Sequence, residues 1–388
     1  MGRKQLPVSS TITARSLVRA LAPSVIGGAG ARAALEASLR RAFGASSATL
    51  VDSGTSALAM AMRATTRAGG VIALPAYACV DVGAAAIFAQ LRVRLYDVDP
   101  STLSADLDSV SRVLAQGVDT IVVAHLYGYA ADVPGVAALA AAHGVPVIED
   151  AAQGAWGTLL GKRLGAFGPL TVLSFGRGKG MTGGGGGALL GIGANVPGAL
   201  VTANEHLASP GSSLRTLAVT SAQWALGRPS LYSLPSAIPV LHLGETIYHP
   251  AHDPRRISAA SASLARASLA RADADLALRR RHAEALARAA EGATSVRVMR
   301  PIAGADPGYL RFPVLLTDAR TERRDCAQIG IVHGYPDTLA DLTELKSSLL
   351  GDENISGARD LQHNLVTLPT HSLLSDDDLR QLGEWMVD

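Results

Sequence analysis

The sequence predicts an α/β protein: a large domain with a mainly parallel central sheet sandwiched by helices, followed by a smaller α+β domain. Between about residues 30 and 200, short β-branched runs alternate with Ala-rich segments of helical spacing, the signature of strand–helix–strand units. The strand-like runs end in polar or glycine-rich turns, where open α/β sheets place their ligands. The length of 388 residues exceeds the usual size of one hydrophobic core, which favours two domains, here 1–254 and 255–388.

In chain order, 53–66 reads as a helix opened by a Ser/Thr cap, 71–74 as an apolar strand and 80–89 as an Ala-rich helix. Strands follow at 91–98 and 120–125, a helix at 134–143, and apolar strands at 145–150 and 170–175. The stretch 195–254 is less regular, broken by Pro210, Pro229, Pro235 and Pro239, and suits a lid or substrate loop. A long helix is expected over about 257–290, with Arg279, Arg280, Arg281 and His282 on a solvated face. A strand at 309–316 and an amphipathic helix at 376–386 supply the small domain.

Composition narrows the partners. The 48% apolar and 18% charged content suits a packed soluble protein. The net charge of +2, from 35 basic and 33 acidic residues without a block of one sign, gives nothing to track a nucleic-acid backbone. Cys79 and Cys326 make neither a disulfide framework nor a metal knuckle, consistent with a reducing cytoplasm. No apolar run approaches the ~18 residues of a membrane span, so a soluble, untargeted protein is expected. Lysine occurs only at positions 4, 162, 179 and 346, which leaves few candidates for amine chemistry.

Three segments carry that chemistry. Val145-Pro-Val-Ile-Glu-Asp150 delivers a carboxylate at the tip of an apolar strand, with Gln153 just beyond. The strand at 170–175 ends in Ser174 and runs through Gly176-Arg-Gly-Lys179, where an apolar, glycine-lined turn would desolvate the amine and suit it to imine formation. Val51-Asp-Ser-Gly54-Thr55-Ser opens onto a helix whose free N–H groups and dipole favour an anion, with Ser174 offering a hydroxyl from the sheet side. Separately these are a capping acid, a surface lysine and an ordinary helix cap. Together they match the needs of pyridoxal phosphate: an imine-forming lysine, an acid at the pyridine nitrogen, a phosphate cradle and ring contacts.

The sequence resembles the DegT/StrS-type aminotransferase family, of the aspartate-aminotransferase fold (fold type I). The resemblance runs through Ser53-Gly-Thr-Ser-Ala-Leu58, Leu74-Pro-Ala-Tyr-Ala-Cys79, Tyr96-Asp-Val-Asp99, His125-Leu-Tyr-Gly128, Glu149-Asp-Ala-Ala-Gln153 and Ser174-Phe-Gly-Arg-Gly-Lys179, and on to Gly334-Tyr-Pro336 and Leu365-Val-Thr-Leu-Pro-Thr-His371. It implies that Lys179 is the Schiff-base lysine, Asp150 the pyridine-nitrogen partner, and Gln153 a contact to the phenolic oxygen. Gly54, Thr55 and Ser174 would hold the phosphate. It also implies a homodimer with active sites at the interface. An amino-acid donor, glutamate or glutamine, would serve a keto acceptor, in this family a nucleotide-linked keto-sugar. Lys179 favours amino transfer over the dehydration run by relatives with His at that position.

Three departures bear on the substrate. Cys79 stands where many relatives stack an aromatic residue on the ring, with Tyr77 nearby as a substitute. Asp253-Pro-Arg-Arg256 replaces an Asn-Tyr-Arg element that reaches the partner subunit. The glycine tract 183–187 replaces a shorter, more polar loop. They motivate an alternative acceptor outside the sugars, or elimination or substitution chemistry. Other readings are weaker. Gly28-Ala-Gly-Ala-Arg-Ala33 with Asp52 matches a dinucleotide fingerprint for a nicotinamide oxidoreductase, but only Val25-Ile26 is left for the strand before it. His249, His252 and Asp253 lack further spaced metal ligands, so no metal is expected. A non-catalytic binding module would need neither Lys179 nor Asp150.

Overall fold

A computed structural model describes residues 3–22, 28–193, 207–238, 246–317, 326–351 and 354–387. The first sheet has seven strands: β1 (Ala45–Val51), β2 (Val71–Pro75), β3 (Arg92–Tyr96), β4 (Thr120–Ala124), β5 (Val147–Asp150), β8 (Leu170–Ser174) and β9 (Gly187–Ile192). Between β5 and β8 lie the short β6 (Thr158–Leu159) and β7 (Lys162–Arg163). The spatial order is β1-β9-β8-β5-β4-β2-β3, and only β9 runs against the rest. The expected parallel strands are therefore present, with ends within two residues of those read from the sequence.

The helices of this layer begin where the sequence places a cap. Ser53 Oγ accepts the Ser56 N–H at the start of Gly54–Thr65, Asp106 that of Ser109, and Asp132 that of Gly135. Two apolar clusters fill the faces of the sheet, one built on Leu58, Met62, Val122 and Ile148, the other on Val113, Ile121, Val123 and Val136. Strands buried on both faces explain why their sequences read as continuous apolar runs.

The C-terminal part holds β10 (Val296–Val298), β12 (Phe312–Leu316), β13 (Val332–His333) and β14 (Leu365–Leu368) in an antiparallel sheet of order β10-β12-β14-β13. Val314, Val366, Leu382 and Met386 form its core against the helix Asp376–Val387. Strand β11 (Ala305–Asp306) pairs with β6, tying this part to the first.

Two expectations need correction. The single helix over 257–290 is two, Ala259–Leu269 and Ala272–Ala289, broken at Ala270 and Arg271. Ala262 and Ala265 pack with Leu35 and Leu39 of the first part, as do Ala272 and Leu276 at the start of the second helix, whereas Ala283 and Leu286 further along join the core of the C-terminal part. Asp273 and Asp275 in the first turn of the second helix, favourable to its dipole, mark the restart. The region read as irregular contains a regular helix, Ser213–Leu226, capped by Ser212 and ended at Gly227. Pro210 and Pro229 flank it rather than interrupt it, and 195–206 and 239–245 lie outside the described residues. Among the described residues no helix is long and apolar enough to cross a membrane.

Candidate active site

The C-terminal tips of β1, β4, β5 and β8 lie on one edge of the sheet, and the predicted residues gather there. Asp150 ends β5, in register with Val172 of β8, two residues before Ser174. One oxygen of its carboxylate accepts the Ala152 N–H at 2.9 Å, and no other described group bonds the carboxylate. Burial pushes the Asp150 acid up, against the pull of the Ala152 N–H and of Lys179.

Beyond Ser174 the chain turns through Gly178 (φ +73°) to Lys179, which is half-buried rather than deeply desolvated. Ser10 donates its hydroxyl to the Lys179 carbonyl at 2.8 Å, so the N-terminal segment braces this turn. Lys179 and Asp150 make no ion pair with each other, although each feels the other's charge.

The phosphate-loop expectation has its counterpart in the approach of Gly54 to Ser174. A Cβ at Gly54 would lie 2.9 Å from the Ser174 Cβ, so only glycine lets the start of the helix Gly54–Thr65 approach that hydroxyl. The Gly54 and Thr55 N–H groups and the Thr55 hydroxyl have no partner among the described residues. The glycine tract packs against the same loop. Gly183 N–H donates to the Phe175 carbonyl, and a Cβ at Gly187 would stand 2.5 Å from the Ser53 carbonyl oxygen.

The residues expected beside the ring also bond within the protein. Gln153 accepts the Tyr127 N–H at 3.0 Å and donates to the Tyr335 hydroxyl at 2.5 Å, so both ends of its amide serve the protein itself. Tyr77 is packed against Tyr335 (ring centroids 5.3 Å), and its hydroxyl accepts the Tyr335 N–H. Cys79 caps the helix Val80–Phe88 near both Lys179 and Asp150, its thiol 3.6 Å from the Asp81 carboxylate and pushed up to about 12 by burial and that carboxylate. Asp52, the acid of the dinucleotide pattern, accepts the Ser56 hydroxyl and the Arg255 N–H instead.

Several residues that the motif reading did not single out complete the site. Glu149 is fully buried and accepts hydrogen bonds from His125 Nε2, the N–H groups of Gly165, Phe167 and Gly168, and the Thr171 hydroxyl. His125 Nδ1 accepts the Ala131 N–H, which puts the ring proton on Nε2. Burial raises the Glu149 acid, but His125 and the backbone donors outweigh it and hold the carboxyl below its usual range. Every group facing either Glu149 oxygen is a donor, so an amide NH2 has no place there. Glu149→Gln is expected to destabilise the protein by about 3–5 kcal/mol, the range for breaking a buried charged network, as read from urea denaturation. The wild type should lose this same contribution as pH falls through the depressed folded pKa, the sign for an acid whose charged form the fold favours.

Tyr127, Tyr335, Arg311 and Lys179 line a cavity of about 220 Å³ together with Gln153. It adjoins an apolar chamber of about 340 Å³ lined by Ile12, Val219 and Leu226, the two sharing Leu6, Val8, Arg177 and Tyr232. Tyr127 and Tyr335 lay within recognisable motifs. Nothing in the sequence pattern marked the segment from Leu6 to Ser10, or Arg311.

A lysine and a buried carboxylate at adjacent strand tips, above a helix N-terminus with free donors, are set on the fold of the aminotransferases. The chain superposes on 3-amino-5-hydroxybenzoic acid synthase with a TM-score of 0.76 at 21% identity, over 100% of this chain and 99% of that one. It superposes on an aminotransferase from Streptoalloteichus hindustanus with a TM-score of 0.75 at 21% identity, over 98% and 97%. The model of the DegT/DnrJ/EryC1/StrS aminotransferase family matches residues 15–387, and the chain belongs to that family. Among curated relatives, it is 33% identical to the L-glutamine:2-deoxy-scyllo-inosose aminotransferase of Streptomyces kanamyceticus over 183 residues, 45% of this chain and 40% of the relative. It is 32% identical to the UDP-N-acetyl-3-dehydro-alpha-D-glucosamine 3-aminotransferase of Acidithiobacillus ferrooxidans over 143 residues, 37% and 39%. The matched part thus spans about two-fifths of each of these relatives.

Proposed function

We propose that the protein is a pyridoxal-phosphate-dependent aminotransferase that moves an amino group from glutamine or glutamate to a keto group on a cyclic polyol or nucleotide-linked sugar. The observation that carries this reading is the buried Asp150 carboxylate within electrostatic reach of Lys179, one of its oxygens unbonded among the described residues, together with N–H groups of Gly54 and Thr55 that have no partner among the described residues. Those residues fit the cofactor: Gly54, Thr55 and Ser174 for its phosphate, Asp150 for its ring nitrogen, Lys179 for its aldehyde carbon, and Cys79 beside its ring. When bound, pyridoxal phosphate supplies an electron sink for the bond broken at the donor's alpha carbon. Asp150 would keep a proton on the ring nitrogen, a pairing that relieves its own buried charge. Lys179 Nζ would act as the base that moves the alpha proton. The N-terminal segment supports this residue: Ser10 holds the Lys179 carbonyl, and Leu6, Pro7 and Val8 line the same cavity. By family likeness the working unit is a homodimer in the cytoplasm.

The names of the relatives support the acceptor class: a keto-inositol in one, a 3-keto nucleotide sugar in the other. The apolar chamber beside the cavity favours a second reading, an acceptor with a non-sugar, apolar portion. Incubating the holoenzyme with L-glutamine and a panel of keto-inositols, keto-sugar nucleotides and cyclic or aromatic ketones, with products read by mass spectrometry, separates the two. Amination confined to the polyols supports the first reading. Amination confined to the apolar ketones replaces it with the second.

A further inference from the structure

One phenol in the Lys179 cavity carries a proton that the fold does not use. Tyr335 lies just beyond β13 and is buried, its ring packed against those of Tyr77 and Tyr127 at centroid distances of 5.3 and 5.8 Å. Its backbone is held as closely. The Tyr335 N–H donates to the Tyr77 hydroxyl at 2.8 Å, and the Gly334 N–H to the Leu365 carbonyl at 3.0 Å. A Cβ at Gly334 would overlap the Tyr77 hydroxyl, so glycine is what lets the chain come this near.

The direction of the hydrogen bonds decides what is left over. Gln153 Oε1 accepts the Tyr127 N–H, which makes the other end of the amide its NH2, a donor with no acceptor capacity. At 2.5 Å from Gln153 Nε2, the Tyr335 oxygen must therefore accept, and its own O–H is left to turn elsewhere. The Tyr77 and Tyr127 hydroxyls are partners of each other at 3.4 Å, and no other described group bonds the Tyr335 hydroxyl. Burial pushes this phenol well above its usual range, so the proton is kept at neutral pH. A buried donor without an acceptor is costly, and one in the wall of a cavity is satisfied by what enters.

The chemistry of the occupant follows from the wall. A neutral O–H recognises an oxygen that can accept, a hydroxyl or a carbonyl. No carboxylate lines this cavity among the described residues, so a substituent that carries an ammonium has no counter-ion there. At about 220 Å³ the cavity is smaller than the ~300 Å³ at which ligand pockets usually begin, so a molecule that brings its carbonyl carbon to Lys179 has the neighbouring carbons against the remaining wall.

We propose that Tyr335 is a specificity-determining residue for the acceptor, its hydroxyl donating to an oxygen on the carbon next to the reacting carbonyl. This inference rests on the aminotransferase reading and narrows it to ketones whose neighbouring substituents are neutral oxygens. Tyr335 binds that oxygen and takes no part in proton transfer.

The test uses two matched pairs: a keto-inositol against its analogue lacking both hydroxyls that flank the carbonyl, and 2-hydroxycyclohexanone against cyclohexanone. The holoenzyme is bleached with L-glutamine, freed of donor, and the return of the visible band is timed with each ketone. The wild type is expected to favour the oxygenated member of a pair by on the order of 10- to 100-fold, the range for a buried donor left unpaired by the other member. Tyr335→Phe keeps the ring and loses only the hydroxyl, and the preference should fall by on the order of 10-fold. A purely structural role would slow both members alike and leave the ratio in place, which would overturn the proposal. A ratio that holds while more L-glutamine is needed to bleach the band would overturn it too, because the oxygen would then belong to the amino donor. Should the variant fold poorly, the wild type alone decides: equal rates within the pairs, or no return of the band with any of the four ketones, refute the assignment. Failure of the functional reading shows differently, as a wild-type chain that forms no visible band with pyridoxal phosphate or is not bleached by L-glutamine or L-glutamate. Calorimetry of the keto-inositol on the cofactor-free chain then still tests Tyr335: binding that weakens in Tyr335→Phe supports the donor, and binding that does not weaken, or is absent, refutes it.

Discussion

Replacing Lys179 by alanine is expected to remove the visible absorbance of the reconstituted enzyme and to cut transamination by about 10⁴-fold, the upper range for losing a positioned proton carrier. The loss would be local. Lys179 is half-buried, its side chain makes no ion pair or hydrogen bond to another described residue, and its carbonyl contact to Ser10 survives the substitution. Denaturation midpoints should therefore match the wild type within ordinary surface-mutation scatter of about 0.5 kcal/mol. Lys162 provides the control. It lies on β7 of the small three-stranded sheet, its ammonium over the Phe167 ring at 5.2 Å, and Lys162→Ala should leave both absorbance and turnover intact. Retained absorbance in Lys179→Ala, with loss in Lys162→Ala, would reverse the assignment.

The second large effect concerns Asp150. Asp150→Asn keeps an oxygen for the Ala152 N–H and removes only the charge, so the strand tip should hold its shape. Removing a fixed group that stabilises developing charge costs on the order of 10²–10³ in kcat. Stability should move the other way. Burial raises the Asp150 acid above its unfolded value, so in the cofactor-free protein the carboxylate is a penalty, absent below the unfolded pKa and growing as pH rises through the folded one. At neutral pH the cofactor-free Asp150→Asn protein is thus expected to be at least as stable as wild type, and to lose that advantage in acid. A variant that is both less active and markedly less stable at neutral pH would make Asp150 a structural residue. Turnover equal to wild type would remove it from the chemistry.

The sequence exposes those parts of the fold whose physics is local. Strands β2, β4, β5 and β8 are buried on both faces, so each is a short apolar run, and the residues that end them, Asp150 and Ser174, sit where such sheets put their chemistry. Strand β1, an edge strand rich in Ser and Ala, has no such run, and β9 emerges from a glycine tract, so neither is marked by its own composition. The break at Ala270 and Arg271 is likewise unmarked by helix propensity: residues on both sides of it, Ala265 and Ala272, belong to one core, and the second core takes over only at Ala283 and Leu286.

The site divides the same way. Lys179, Asp150, Gly54 and Ser174 are legible because each lies at the end of its own element. Glu149 and Arg311 acquire their surroundings from residues distant in the chain: Glu149 from the 165–171 turn and His125, Arg311 from Tyr127, Tyr335 and Thr367. Gln153, expected at the ring, also ties the Tyr127 backbone to Tyr335, from which it is separated by 182 residues. No local pattern encodes such a bridge.

The central claim is that one lysine, facing the Asp150 carboxylate across a single ring, holds the cofactor. Borohydride reduction of the chain reconstituted with pyridoxal phosphate, followed by peptide mass mapping, addresses it most directly. The added mass is expected on the peptide containing Lys179 and on no other. Modification of Lys4, Lys162 or Lys346 with Lys179 untouched would contradict it.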